Sequence, residues 1–158
     1  MQRISVAASF VVALVGCGAT PTVPSDVSRA QVASAPTRIV SDGVELTLTA
    51  FLTRDFMPIS PPDGKPLGGV LRIKTENGTP VPAGIVVTAS WILFNSETWS
   101  ASVEQRLRAD TAPNYEVIVR DGPKWGPDVV VDVVVRVRDS AGAESLLRAP
   151  NQLIIGTR

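Results

Sequence analysis

The sequence predicts an all-β sandwich of about seven or eight antiparallel strands, and three observations carry that prediction. From Ile39 onward, apolar and polar residues alternate with period two, the spacing of strands buried on one face. Turn residues such as Asn77-Gly78 and Asp139-Ser-Ala-Gly142 punctuate these runs about every eight to twelve positions. Nowhere do apolar residues recur at helical spacing over three turns.

Taken in order, Val44, Leu46, Leu48, Ala50 and Leu52 share one strand face, with Glu45, Thr47 and Thr49 opposite. Val70 to Glu76 forms a second run, closed by the tight-turn pair Asn77-Gly78. Pro80 and Pro82 follow and cannot donate to a central ladder, so the chain is at an edge or kinked there. Ile85 to Phe94 is nearly continuous apolar sequence, the mark of a strand buried on both faces. Trp99, Ala101, Val103, Gln105 and Leu107 alternate with Glu104, Arg106 and Arg108, and Asp110 to Asn114 makes a turn. Tyr115, Val117 and Val119 start the next strand. The clearest strand aligns Val129, Val131, Val133, Val135 and Val137 on one face, with Asp132, Arg136 and Arg138 on the other. A return strand over Ala143–Ala149 and a short one over Leu153–Ile155 close the sheet.

Composition narrows the chemistry. The chain has no histidine and one cysteine, so zinc, copper, haem and iron–sulfur sites lose their usual ligands, and only oxygen sites for hard cations remain. Ser-His-Asp and Cys-His nucleophile systems are excluded for the same reason. Fifteen basic residues against fifteen acidic ones leave no electrostatic footprint for nucleic acid. Asp121, Asp128, Asp132 and Asp139 could offer oxygens to calcium, yet no Asp-x-Asp-x-Asp spacing unites them, and turn or solvated roles explain each. The expectation is a protein that is not an enzyme and holds no metal or cofactor.

At the N-terminus, Arg3 precedes the uncharged apolar stretch Ile4 to Val15, long enough for the core of a secretory signal but too short to span a bilayer. The stretch ends in Leu14-Val15-Gly16-Cys17, which resembles the lipobox of bacterial lipoproteins. That resemblance implies cleavage before Cys17, a diacylglycerol on its sulfur and an acyl group on the new amine. Each buried methylene contributes roughly 0.8 kcal/mol, so several chains anchor firmly. The implied location is the cell envelope, and Gly18 in place of an aspartate points to the outer membrane. The plainer alternative is an ordinary signal peptide that happens to contain a cysteine. The chain then divides into a signal at 1–16, a lipidated cysteine and Pro/Ala-rich tether at 17–37, and a β-sandwich domain at 38–158. As a coil the tether spans on the order of 25 Å.

The stretch Val129–Leu147, a valine-rich strand, Asp-Ser-Ala-Gly and a return strand, resembles the final hairpin of bacterial immunoglobulin-like and fibronectin-III-like domains. Trp91, within a buried strand, suits the core tryptophan of such folds, although the cysteine pair of antibody domains is missing. Such folds host many functions and license none.

Two loops carry the functional expectations. Asp121-Gly-Pro-Lys-Trp-Gly-Pro-Asp128 is stiffened by two Gly-Pro pairs and centred on Trp125, with Lys124 beside it. A rigid loop presenting tryptophan loses little entropy on docking. The alternative is that Trp125 folds back to cap the open end of the sandwich. The connection Thr53–Gly69 holds Phe56, Met57 and four prolines, and suits an extended segment that offers or receives a peptide. Its alternative is a crossover in which Phe56 and Met57 cover the edge of the core. Trp99, like Trp91, reads as strand packing. The leading expectation is a lipid-anchored, non-catalytic envelope module that binds a protein or peptide through these loops. An envelope protease inhibitor is the alternative, and a cell-wall-acting enzyme a more distant one.

Overall fold

The computed structural model describes residues 27–106 and 112–157. Among them, nearly all regular structure is β. The strands are β1 Ile39–Ser41, β2 Val44–Asp55, β3 Leu67–Thr75, β4 Val86–Phe94, β5 Glu97–Ala101, β6 Glu104–Gln105, β7 Asn114–Gly122, β8 Val130–Arg138 and β9 Glu144–Thr157. They join in one mixed sheet, ordered β5-β4-β8-β9-β2-β3-β7-β6 with β1 on β2, which curls into a half-barrel.

Two expectations change. The strands do not separate into two unlinked sheets, and one pairing is parallel rather than antiparallel. Both have the same cause. The return strand and the last short strand are one continuous β9, which pairs with β8 up to Leu153 and lays Ile154–Thr157 parallel to Leu52–Asp55 of β2. The bend falls at Pro150–Asn151, where Asn151 has φ 56° and donates its N–H to Asp132 Oδ1 at 3.0 Å. Asparagine tolerates that left-handed backbone better than most residues, and Pro150 has no N–H to give a ladder.

The concave side holds the main core. Leu46, Leu48 and Leu52 of β2 meet Leu71 and Ile73 of β3, with Val131, Val133, Val135 and Val137 of β8 across from them. The inward alternation read from the sequence is therefore the core of the fold. Tyr115 ties the two walls together: its hydroxyl accepts the Val87 N–H at 3.3 Å, beside a bulge in β4.

A second cluster lies outside the sheet and draws in part of the stretch whose composition reads as a tether. Residues Arg29–Ala33 form a helical turn, α1, whose Val32 and the following Ala35 are buried against Trp91, Leu93 and Val134. Ser28 caps it by a reciprocal pair of hydrogen bonds with Gln31. Residues 28–36 thus belong to the folded body. Trp91 is buried beneath α1 rather than in the concave core, with the Arg136 guanidinium 5.3 Å from its ring centroid. The continuous apolar run of β4 makes sense on this basis, because the helical turn covers its second face.

Strand directions decide where the loops fall. The ends of β2, β4, β7 and β9 and the starts of β3, β5 and β8 lie at one end of the sheet. That end gathers the β2–β3 loop, the β7–β8 loop and the β4–β5 hairpin.

Candidate functional site

At this end the inward face of β2 terminates in an arginine. Leu46, Leu48, Ala50 and Leu52 are followed at the same spacing by Arg54, which is only 4% exposed. A buried guanidinium must find acceptors for its five donors. Arg54 Nε donates to Lys65 O at 3.0 Å, and Nη1 donates to Lys124 O at 3.0 Å and Gly126 O at 2.8 Å. Nη2 donates to Asp63 O. Four carbonyls from two loops, distant in sequence, are thus held on one planar cation. The Phe56 ring covers it, 4.9 Å from Cζ. Phe56 in turn lies so close to Gly64 that a β-carbon there would meet the ring at 2.5 Å. Gly64 has φ 74°, so the close approach and the left-handed turn both call for glycine.

Side chains repeat the tie at the surface. Lys124 forms an ion pair with Asp63, linking the two loops again. Lys65 reaches Asp55 Oδ2 at 2.7 Å, and Asp55 Oδ1 accepts the Met57 N–H at 2.9 Å. The hydrogen bond from Lys65 and that from the Met57 backbone lower the Asp55 carboxyl from 3.8 to about 2. The Lys124 hydrogen bond likewise holds Asp63 below its ordinary value. A carboxyl with a depressed folded-state pKa stabilises the fold above its unfolded value and loses that contribution as pH falls through the folded one. For Asp55 the window runs from 3.8 down to about 2. Hydrogen exchange of the Met57 amide, corrected for intrinsic rates, is expected to quicken across that interval and to lose this pH dependence in Asp55→Asn.

The four binding residues expected from sequence all come to this end, but in different states. Trp125 is half-buried on the main core, its ring centroid 5.5 Å from that of Phe94, and its indole N–H donates to Glu97 Oε2 at 3.0 Å. It caps the open end, the plainer of its two readings. Lys124 is exposed but paired. Phe56 is half-buried on Arg54, and Met57 is 45% exposed. Cys17 lies outside the described residues.

Sequence reasoning passed over two residues. Ile59 is 91% exposed at the tip of the β2–β3 loop. Its only signal was a branched apolar side chain alone among Pro58, Ser60, Pro61 and Pro62. Arg54 was hidden inside a stretch read as a single long connection from Thr53. Continuing the alternation of Leu52 by one more step would have placed it on the inward face.

What this arrangement offers chemically is apolar surface on a braced loop. In the β2–β3 loop Asp55 pairs with Lys65 and Asp63 with Lys124, while Met57, Pro58 and Ile59 lie exposed beside them. Among the described residues no three His, Cys, Asp or Glu side chains group as metal ligands. Asp132 instead accepts from Arg148 at 3.2 Å, and Asp139 caps its own turn through the Ala141 and Ala143 N–H groups. No family model, curated protein or solved structure matches the chain.

Proposed function

We propose that the protein is a non-catalytic binding module of the cell envelope, held by lipid on Cys17, that docks a protein or peptide partner with its β2–β3 loop. The observation that carries this reading is Ile59, a large apolar side chain almost wholly in water on a loop whose backbone is braced by Arg54. A braced loop pays little ordering entropy on binding, and an apolar anchor at its tip gains from burial. Met57 and the prolines around it widen that contact.

The scaffold we read as an immunoglobulin-like sandwich with a shared strand. One wing, β2-β3-β7-β6, has the A-B-E-D order, and the other, β4-β8-β9, has the C-F-G order. The parallel β2–β9 pairing closes the gap between them along one side. With α1 part of the body, the chain from Cys17 to Val27 reaches at most about 35 Å when fully extended. The module therefore works close to the outer membrane that its N-terminal residues suggest.

A photoreactive residue at position 59 in cells is expected to crosslink one dominant envelope protein, while one at position 74 on the sheet does not. Ile59→Asp is expected to abolish that capture while shifting stability by no more than about 0.5 kcal/mol, as exposed substitutions do. Equal crosslinking at both positions would remove the reading. A protease inhibitor is the second reading, favoured by the same combination of bracing and exposure at Ile59. Slow, competitive inhibition of an envelope protease by the purified chain, lost in Ile59→Asp, separates it from a passive adaptor. Loss of palmitate labelling in Cys17→Ser tests the anchor.

A further inference from the structure

Around the sheet from the loop tip, a groove of about 350 Å³ opens between β7 and the chain joining β5 to β6. Its wall carries one indole, Trp99, with the hydroxyls of Ser100 and Ser102 and the charged groups of Glu104, Arg120 and Asp121. The six-membered ring of Trp99 is seated on Gly122, where a β-carbon would lie 2.5 Å from it, so the indole is fixed in place. Arg120 Nε donates to Glu104 Oε2 at 3.3 Å. One cation against two carboxylates disfavours an anionic ligand and leaves acceptors for hydroxyl groups.

The groove continues past Arg120 and Asp121 into a second trough of about 370 Å³ over Gly68 and Gly69, where β3 has no side chains to fill the surface. A ligand longer than one ring is therefore accommodated. A peptide strand fits less well. Among the described residues β6 pairs with β7 only at Val117 and Ile118, so the β7 edge beyond could in principle receive a strand. Arg120 puts a charge on that edge, and Asp121 breaks its extended course at φ 61°, two devices that blunt strand addition.

We propose that this groove binds a neutral, β-linked oligosaccharide of gluco configuration. Such sugars present a flat C–H face that stacks on an aromatic ring, and their equatorial hydroxyls donate to carboxylates. An aromatic wall with a few convergent polar groups, in a cleft of this size, is the usual form of a small-ligand site. The proposal does not rest on the β2–β3 loop docking a partner, although Lys65 and Pro66 of that loop line the second trough.

Titrating the full chain separately with cellotetraose and chitotetraose, while following the Trp99 indole N–H resonance and backbone amides, tests it. At least one sugar is expected to give saturable shifts with a Kd on the order of 1 mM or tighter. Trp99→Ala is expected to abolish them. Because Trp99 also packs on the fold, Glu104→Ala provides a second, exposed substitution, expected to weaken binding about tenfold or more. Lys74→Gln, on the same sheet but outside the groove, is expected to leave the Kd unchanged. The proposal is overturned if neither sugar shifts Trp99, if binding survives Glu104→Ala undiminished, or if an alternating Val/Thr hexapeptide occupies the groove and the sugars do not.

Discussion

Arg54→Met is expected to destabilise the fold by about 3–5 kcal/mol and to loosen two loops at once. Methionine has nearly the length of the arginine stem and keeps its packing beside Leu52. What it removes is the donor for Lys65 O, Lys124 O, Gly126 O and Asp63 O. Each buried carbonyl left without a partner costs about 1–3 kcal/mol. The total stays below the sum because the loops lie near the surface and some carbonyls regain water. Arg54→Lys is expected to recover only part of the loss, since an ammonium is a point donor and cannot span four acceptors in a plane. Denaturant unfolding gives the energy, and hydrogen exchange gives the distribution. Amides of residues 56–66 and of 123–129 should both lose protection, whereas those of Val131–Val137 should follow only the global change. A loss below about 1 kcal/mol, or one loop loosening without the other, would show that Arg54 does not brace the site.

This clamp explains why the candidate site was only half legible in the sequence. Loop composition alone brought out Lys124, Trp125, Phe56 and Met57, because proline and glycine punctuation is local information. The role of each was not local. Whether Trp125 presents itself or packs depends on Phe94 and Glu97, which lie on a different hairpin. Whether the β2–β3 loop is braced depends on carbonyls roughly 70 residues downstream of Arg54, as in its bond to Lys124. A charged residue at an inward strand position is the one sequence signal such a device leaves. It is easy to mistake for the end of the strand.

The fold shows the same division. Period-two alternation over β2, β7 and β8 foretold which valines and leucines face the core, since each strand's faces are set by its own pleat. Pairing partners are not written in that pattern. The parallel contact of β9 with β2 joins residues about 100 positions apart, as in Leu52 opposite Ile154. It also depends on a bend at Asn151 that the sequence presents merely as Pro-Asn between two apolar runs. The helical turn α1 is too short for periodicity to reveal. Its only trace is Ser28-Arg-Ala-Gln31, the spacing of a capping box, set in a stretch whose prolines and alanines otherwise read as a tether.

That turn supports the second large prediction. A chain begun at residue 38, where the composition changes, is expected to be less stable than one begun at residue 27 by about 3 kcal/mol, or about 10 °C in Tm. Val32 is 1% exposed, and burying such a side chain contributes about 1.5–3 kcal/mol. Its removal also uncovers Trp91 and Leu93, and it takes away two acceptors of Arg148: Pro36 O, 2.8 Å from its backbone N, and Ala35 O, 3.1 Å from Nε. The hydrogen bond from Arg29 Nε to Thr98 Oγ1 at 3.1 Å goes as well, releasing the β4–β5 hairpin that supports Trp125. Tryptophan emission of the shorter chain should shift to the red as Trp91 meets water. Val32→Asp in the full chain should reproduce the shift, because a carboxylate cannot stay beneath the turn without a partner. Equal Tm values for the two chains, with Trp91 emission unchanged, would mean that α1 rests on the sheet without contributing to it. The body would then begin at β1, where sequence composition alone had put it.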